Sequence, residues 1–64
     1  LENDEAKVIR VLREAGGVLL QSEIKRRTGF SKAKTSVVLK ALEQKGSLDK
    51  TRRGREYVVK LRDR

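Results

Sequence analysis

At 64 residues and 7.3 kDa the chain has room for one small domain. Seventeen Lys and Arg stand against nine Asp and Glu, a formal net charge of +8. Neither Cys nor His occurs, which excludes disulfide scaffolds, zinc fingers and thiol or imidazole catalysis.

The longest apolar runs, such as Val18-Leu19-Leu20, are too short for a membrane span or a signal peptide. A strongly positive balance calls for, or tolerates, a polyanionic partner. The charge is uneven: residues 1–20 net −1, whereas residues 21–64 carry 14 basic and 5 acidic side chains, a net of +9. Function is therefore expected in the later part, with the first part as support. The chain starts at Leu1 and has no Met, so residues 1–64 read as a single domain excised from a longer protein. Although 41% of residues are charged, the apolar ones are periodic, which argues against disorder.

Asn3 or Asp4 caps a first helix, whose stripe is Val8, Val11, Leu12 and Ala15 and whose end is Gly16-Gly17. Val18-Leu19-Leu20 suits one short strand. A second helix runs from Gln21 or Ser22 to Thr28, with Ile24 and the Thr28 methyl inward and Gly29 as its stop. Phe30 is expected as a buried anchor, and Ser31 caps a third helix over Lys32 to Lys45, with Gly46 at its C-terminus. A short helix, a Gly-containing turn and a longer capped helix make a helix-turn-helix.

Thr35, Val38, Leu39 and Leu42 recur at i, i+3, i+4 and i+7 and define the core stripe of the third helix. Ala33, Ser36, Val37, Lys40 and Gln44 are then left facing out. After Gly46 the period changes to two. One strand runs from Leu48 to near Thr51, and Tyr57, Val59 and Leu61 alternate along another. Between them Arg52-Arg53-Gly54-Arg55 forms the turn, so Lys50, Arg52, Arg53 and Arg55 gather at a hairpin tip. The predicted fold is α+β, mainly α: a winged helix-turn-helix with three helices and a small three-stranded antiparallel sheet in the order α-β-α-α-β-β.

In that arrangement the third helix fits the major groove of double-stranded DNA while the second crosses the backbone. Ala33, Ser36, Val37 and Lys40 are the candidate base contacts, Lys40 suiting guanine O6 and N7. Gln21, Ser22, Lys25, Lys32, Lys34, Lys50, Arg52, Arg53 and Arg55 are the candidate phosphate contacts, the hairpin reaching phosphates or the minor groove. Each has an ordinary alternative. The helix face can be a solvated surface, hairpin charges can protect a strand edge, and Gln21 and Ser22 can be plain capping residues. Tyr57 and Phe30 are read as core anchors, since stacking platforms need several exposed rings.

Gln21-Ser22-Glu23-Ile24, then Thr28-Gly29-Phe30-Ser31-Lys32-Ala33-Lys34, then Leu39-Lys40-Ala41-Leu42-Glu43-Gln44-Lys45-Gly46 resemble archaeal winged-helix regulators related to the MarR and TrmB types. Arg53-Gly54-Arg55 before Tyr57-Val58-Val59 is similar to their wing, and the likeness covers nearly the whole chain. It implies a transcription regulator's DNA-binding domain, cytoplasmic, dimerising through segments outside this core and often fused to larger, sometimes membrane-attached proteins.

The sequence departs from that pattern at Thr35, Val37 and Ser47. Val37 matters most, because it removes a hydrogen-bonding side chain from the middle of the reading face. It can meet a thymine methyl, or, with Ile9, anchor a protein partner, which makes a protein-interaction module the alternative function. Enzymatic activity is not expected, for no His can activate Ser22, Ser31, Ser36 or Ser47 and no phosphate-binding glycine loop occurs. No cofactor or metal is expected either.

Overall fold

The computed structural model describes residues 1–62. Helix α1 (Asp4–Glu14) starts where Asn3 Oδ1 accepts the Ala6 N–H at 2.8 Å, so Asn3 is the cap, with Asp4 and Glu5 in the positive first turn. Strand β1 (Val18–Leu20), α2 (Gln21–Thr28), α3 (Lys32–Gln44), β2 (Leu48–Arg53) and β3 (Glu56–Leu61) follow, in the expected order. Helix α3 opens on Ser31, whose hydroxyl accepts the Lys34 N–H at 3.0 Å.

Two boundaries differ from expectation. Helix α3 ends at Gln44, with Lys45 as its C-cap and Gly46 one position beyond at φ +78°. Gly46 N–H reaches Glu43 O at 3.0 Å and Ser47 N–H reaches Leu42 O at 2.9 Å, a Schellman closure that needs a left-handed residue at that point. Strand β2 continues to Arg53, which pairs with Glu56, so the turn is only Gly54-Arg55. Positive φ at Gly54 (+64°) and not at Arg55 is the pattern of a type II′ hairpin, whose twist lets the ladder run to the tip. Arg52 and Arg53 therefore belong to the ladder, not to the turn.

The sheet is antiparallel in the order β1-β3-β2, with Leu19 opposite Val59 and Leu48 opposite Leu61. Terminal residues ordinarily fray, but Arg62 is held: its N–H donates to Ser47 O at 3.0 Å and its Nε lies 3.3 Å from Asp49 Oδ2. Arg64, a terminal residue to which the same expectation applies, lies outside the described residues.

One cluster forms the core: Val8, Val11 and Leu12 from α1, Ile24 from α2, Val38, Leu39 and Leu42 from α3, and Leu19, Leu48 and Val59 from the sheet. Thr28 and Thr35 are buried with it. Their hydroxyls donate to the carbonyls of Ile24 (2.7 Å) and Ser31 (2.8 Å), which removes the cost of burying them. Phe30 and Tyr57 are not the buried anchors expected. Phe30 is half-buried against the core edge, with the Lys34 and Lys7 ammonium groups 4.8 and 5.6 Å from its ring centre. Tyr57 is half-buried outside the core cluster, at the turn end of β3 where that strand begins.

Leu39 is fully buried at the centre of the three-helix contact, so Leu39→Ala should lower unfolding free energy by about 2–5 kcal/mol. Urea denaturation followed by circular dichroism measures that loss. At the surface of α1, Arg10 Nε lies 2.7 Å from Glu2 Oε2 and its Nη1 lies 3.2 Å from Glu14 Oε1. The hydrogen bond from Arg10 holds the Glu2 carboxyl below the usual carboxylate range. Its stabilising contribution is thus present above that range and fades as the pH falls through the lowered value. Arg10→Ala should move the Glu2 titration upward, read from its side-chain carbonyl carbon by NMR.

Candidate nucleic-acid interface

Burial of Thr35, Val38, Leu39 and Leu42 fixes the rotation of α3 about its axis. At about 100° per residue, the opposite stripe is Ala33, Val37, Lys40 and Gln44, and all four are exposed. Ser36 and Lys32 fall on the flank facing the hairpin. Lys34 and Lys45 fall on the other flank, facing α1, where Asp4 and Glu5 take their ammonium groups at 3.1 and 2.6 Å.

Between α2, α3 and the hairpin lies a groove of about 500 Å³, lined by Gln21, Ser22, Lys25, Lys32, Thr35, Ser36, Lys50, Arg55, Glu56 and Tyr57. Seven of the residues singled out in the sequence thus meet in one place, contributed by three separate elements. Helix α2 is positioned there by Glu23, whose Oε1 accepts the Leu20 N–H at 3.0 Å. Glu23 therefore caps the helix as well as facing its positive end. Thr28 Oγ1 accepts the Phe30 N–H at 3.3 Å and so braces the turn between α2 and α3.

Gln21 is neither a simple cap nor a free donor. Its Nε2 donates to Ser36 Oγ at 3.1 Å, joining α2 to α3, and its Oε1 is buried without a protein partner. Ser22 Oγ donates to Glu56 Oε1 at 3.4 Å, a long contact from α2 to the hairpin.

Antiparallel pairing places Lys50, Arg52 and Tyr57 on the helix-facing side of the hairpin, and Thr51, Arg53 and Val58 on the other. The Lys50 ammonium sits 4.3 Å from the Tyr57 ring centre and the Arg52 guanidinium 5.7 Å. Arg52 Nε also donates to Gly54 O at 2.9 Å, so its side chain is folded over the turn. Arg53 projects from the opposite face. The four hairpin cations are therefore split between two faces and the tip.

Opposite charges pair away from this region. Among the described residues the ion pairs are Arg10 with Glu2 and Glu14, Lys34 with Asp4, Lys45 with Glu5, and Arg62 with Asp49. Every one lies on the α1 side or at the far end of the sheet. Lys25, Lys32, Lys40, Lys50, Arg52, Arg53 and Arg55 enter none of them, so the groove and the outer stripe of α3 keep their positive potential. Chemically the surface offers many N–H and ammonium donors to an extended polyanion. Among the described residues no cluster of Asp and Glu able to hold a metal ion was found.

Sequence reasoning missed Tyr57 and Glu56 as groove residues. The signal available was Tyr57 lying between Arg55 and Lys60, close to the tip of a basic hairpin.

Three helices and a three-stranded antiparallel sheet in the order α-β-α-α-β-β make a winged helix-turn-helix. The fold is similar to the PcaV transcriptional regulator from Streptomyces coelicolor, solved in complex with its natural ligand. The TM-score is 0.85 and the identity 28%, over 97% of this chain and 47% of that one. PcaV is a MarR-family regulator, in agreement with the resemblance seen in the sequence. The chain is also 30% identical over 57 residues to the uncharacterized protein PYRAB14350 of Pyrococcus abyssi, a match covering 89% of this chain and 17% of that protein. The chain thus spans less than half of either relative. Residues 1–62 match the family described as Domain of unknown function (DUF7343), and the chain belongs to that family.

Proposed function

We propose that this domain binds double-stranded DNA in a sequence-dependent manner, as the DNA-binding domain of a transcription regulator and not as an enzyme. The observation that carries it is the segregation of charge. Ion pairs are drawn to the α1 side, while unpaired cations surround an exposed helix face and the groove beside it. Lys7, Arg13, Arg26, Arg27 and Lys60 also stand outside the ion pairs, but seven of the unpaired cations lie along the groove, the hairpin and the outer stripe of α3, where they attract phosphates. The likeness to the PcaV transcriptional regulator supports the same reading.

Helix α3 lies in the major groove, with Ala33, Ser36, Val37 and Lys40 at base edges. Lys25, Lys32, Lys50, Arg52, Arg53 and Arg55 neutralise phosphates, whereas Gln21 and Ser22 reach the backbone only by giving up their bonds to Ser36 and Glu56. Lys34 is less available to a phosphate because Asp4 already holds it. The hairpin, with Arg52 and Arg53 on its two faces, follows the backbone or enters the minor groove. The domain acts in the cytoplasm as one module of a longer regulator, whose other segments can supply dimerisation. Support for the longer parent is the small share of each relative that the chain spans. In the alternative protein-interaction reading one of the two anchors, Ile9, is half-buried against the core.

With about six phosphate contacts, log K against log[salt] should fall with a slope near −5 for a 20-bp duplex, measured by fluorescence anisotropy. Arg55→Ala should weaken all duplexes alike and make that slope shallower by about 1. Lys40→Ala should instead relax the preference at one base pair, by about 1–3 kcal/mol. Affinity independent of salt, or unchanged by both substitutions, would overturn the proposal.

A further inference from the structure

The exposed stripe of α3 has an apolar centre. Val37, 68% exposed, is the most exposed large apolar side chain after Leu1. Ala33 precedes it by one turn and Lys40 follows it by one turn, and both are exposed. A protein-docking surface needs a contiguous apolar patch. Here two of the helix neighbours of Val37, Lys34 and Lys40, are cations, and Ile9 is packed against the core.

An isopropyl group makes no hydrogen bond to a base edge. The apolar group that a major groove presents is the C5 methyl of thymine, and 5-methylcytosine carries the same group at the same place. Ala33 and Val37 are separated by about 6 Å along the helix axis. That is nearly two steps of about 3.4 Å along a DNA strand, so the pair can cover pyrimidine methyls on two bases with one base between them.

Resting on the duplex-binding function above, we propose that Val37, with Ala33, reads pyrimidine 5-methyl groups beside the base pair met by Lys40. The site is thus selective for methyl-bearing pyrimidines and is set by side chains that donate and accept nothing.

The test uses a 24-bp duplex selected as the tightest binder from a random library, then remade with uracil in place of every thymine. The two duplexes differ in methyl groups alone. Loss of about fourfold in affinity per methyl is expected on the uracil duplex. Val37→Ser should lower affinity for the thymine duplex by a similar factor and shrink the thymine-over-uracil preference by that factor, leaving only the share due to Ala33. A second arm replaces cytosine by 5-methylcytosine: unchanged affinity with uracil but a gain here assigns the methyl to 5-methylcytosine and also supports the proposal. Equal affinity of the unaltered chain for all these duplexes, with salt-dependent binding retained, overturns the methyl reading and leaves the duplex-binding function standing. Absence of any salt-sensitive duplex binding overturns both.

Discussion

Burial of one stripe of α3 sets nearly everything else in this domain. Thr35, Val38, Leu39 and Leu42 enter the core, and a helix has one rotational freedom, so the rest of its surface is assigned at once. Thr35 is the instructive member. A hydroxyl in a core is tolerated only when bonded, and the Ser31 carbonyl at 2.8 Å receives it. Ser31 thereby does two things: its side chain caps α3 and its carbonyl holds the buried threonine. The start of the helix and its rotation are fixed by the same residue.

Charge placement follows from that rotation. One flank of α3 turns Lys34 and Lys45 toward the acidic first turn of α1, where Asp4 and Glu5 also favour the helix dipole. The other flank turns Lys32 and Ser36 toward α2 and the hairpin, where acids are few. A chain with a net charge of +8 in 64 residues repels itself. The fold relieves that by pairing Arg10, Lys34, Lys45 and Arg62 with acids, and leaves the cations of the α3 stripe, the groove and the hairpin without such pairs. Glu56 is the exception in the groove, tied to the Ser22 hydroxyl and pairing along the ladder with Arg53.

Element order, the α3 stripe and the buried Thr28 were legible because each rests on local periodicity or on a capping residue with a strong preference. Strand ends were less so. Strand β2 outruns its apolar residues, because Gly54 supplies a two-residue turn that lets Arg52 and Arg53 pair with Tyr57 and Glu56. No alternation of burial marks such a ladder, since both of its faces are wet. The same extension misled the reading of Tyr57: period-two alternation with Val59 and Leu61 put it on the inner face correctly, but at the turn end of β3 it is only half-buried. Within the candidate site, the Gln21–Ser36 hydrogen bond and the capture of Lys34 by Asp4 were invisible, because both join residues far apart in sequence. Spacing along one helix says which side a residue is on, not what stands opposite.

The most direct measurement of the central claim is cross-saturation from a protonated 20-bp duplex to the amides of the deuterated, 15N-labelled chain. Attenuation centred on Ala33, Ser36, Val37 and Lys40, with the hairpin residues 50–56 beside them, is the predicted result. Attenuation centred on Lys7, Ile9 and Arg13 with α3 untouched would contradict the account, because the uncovered face of that helix would then not be the surface that meets the nucleic acid.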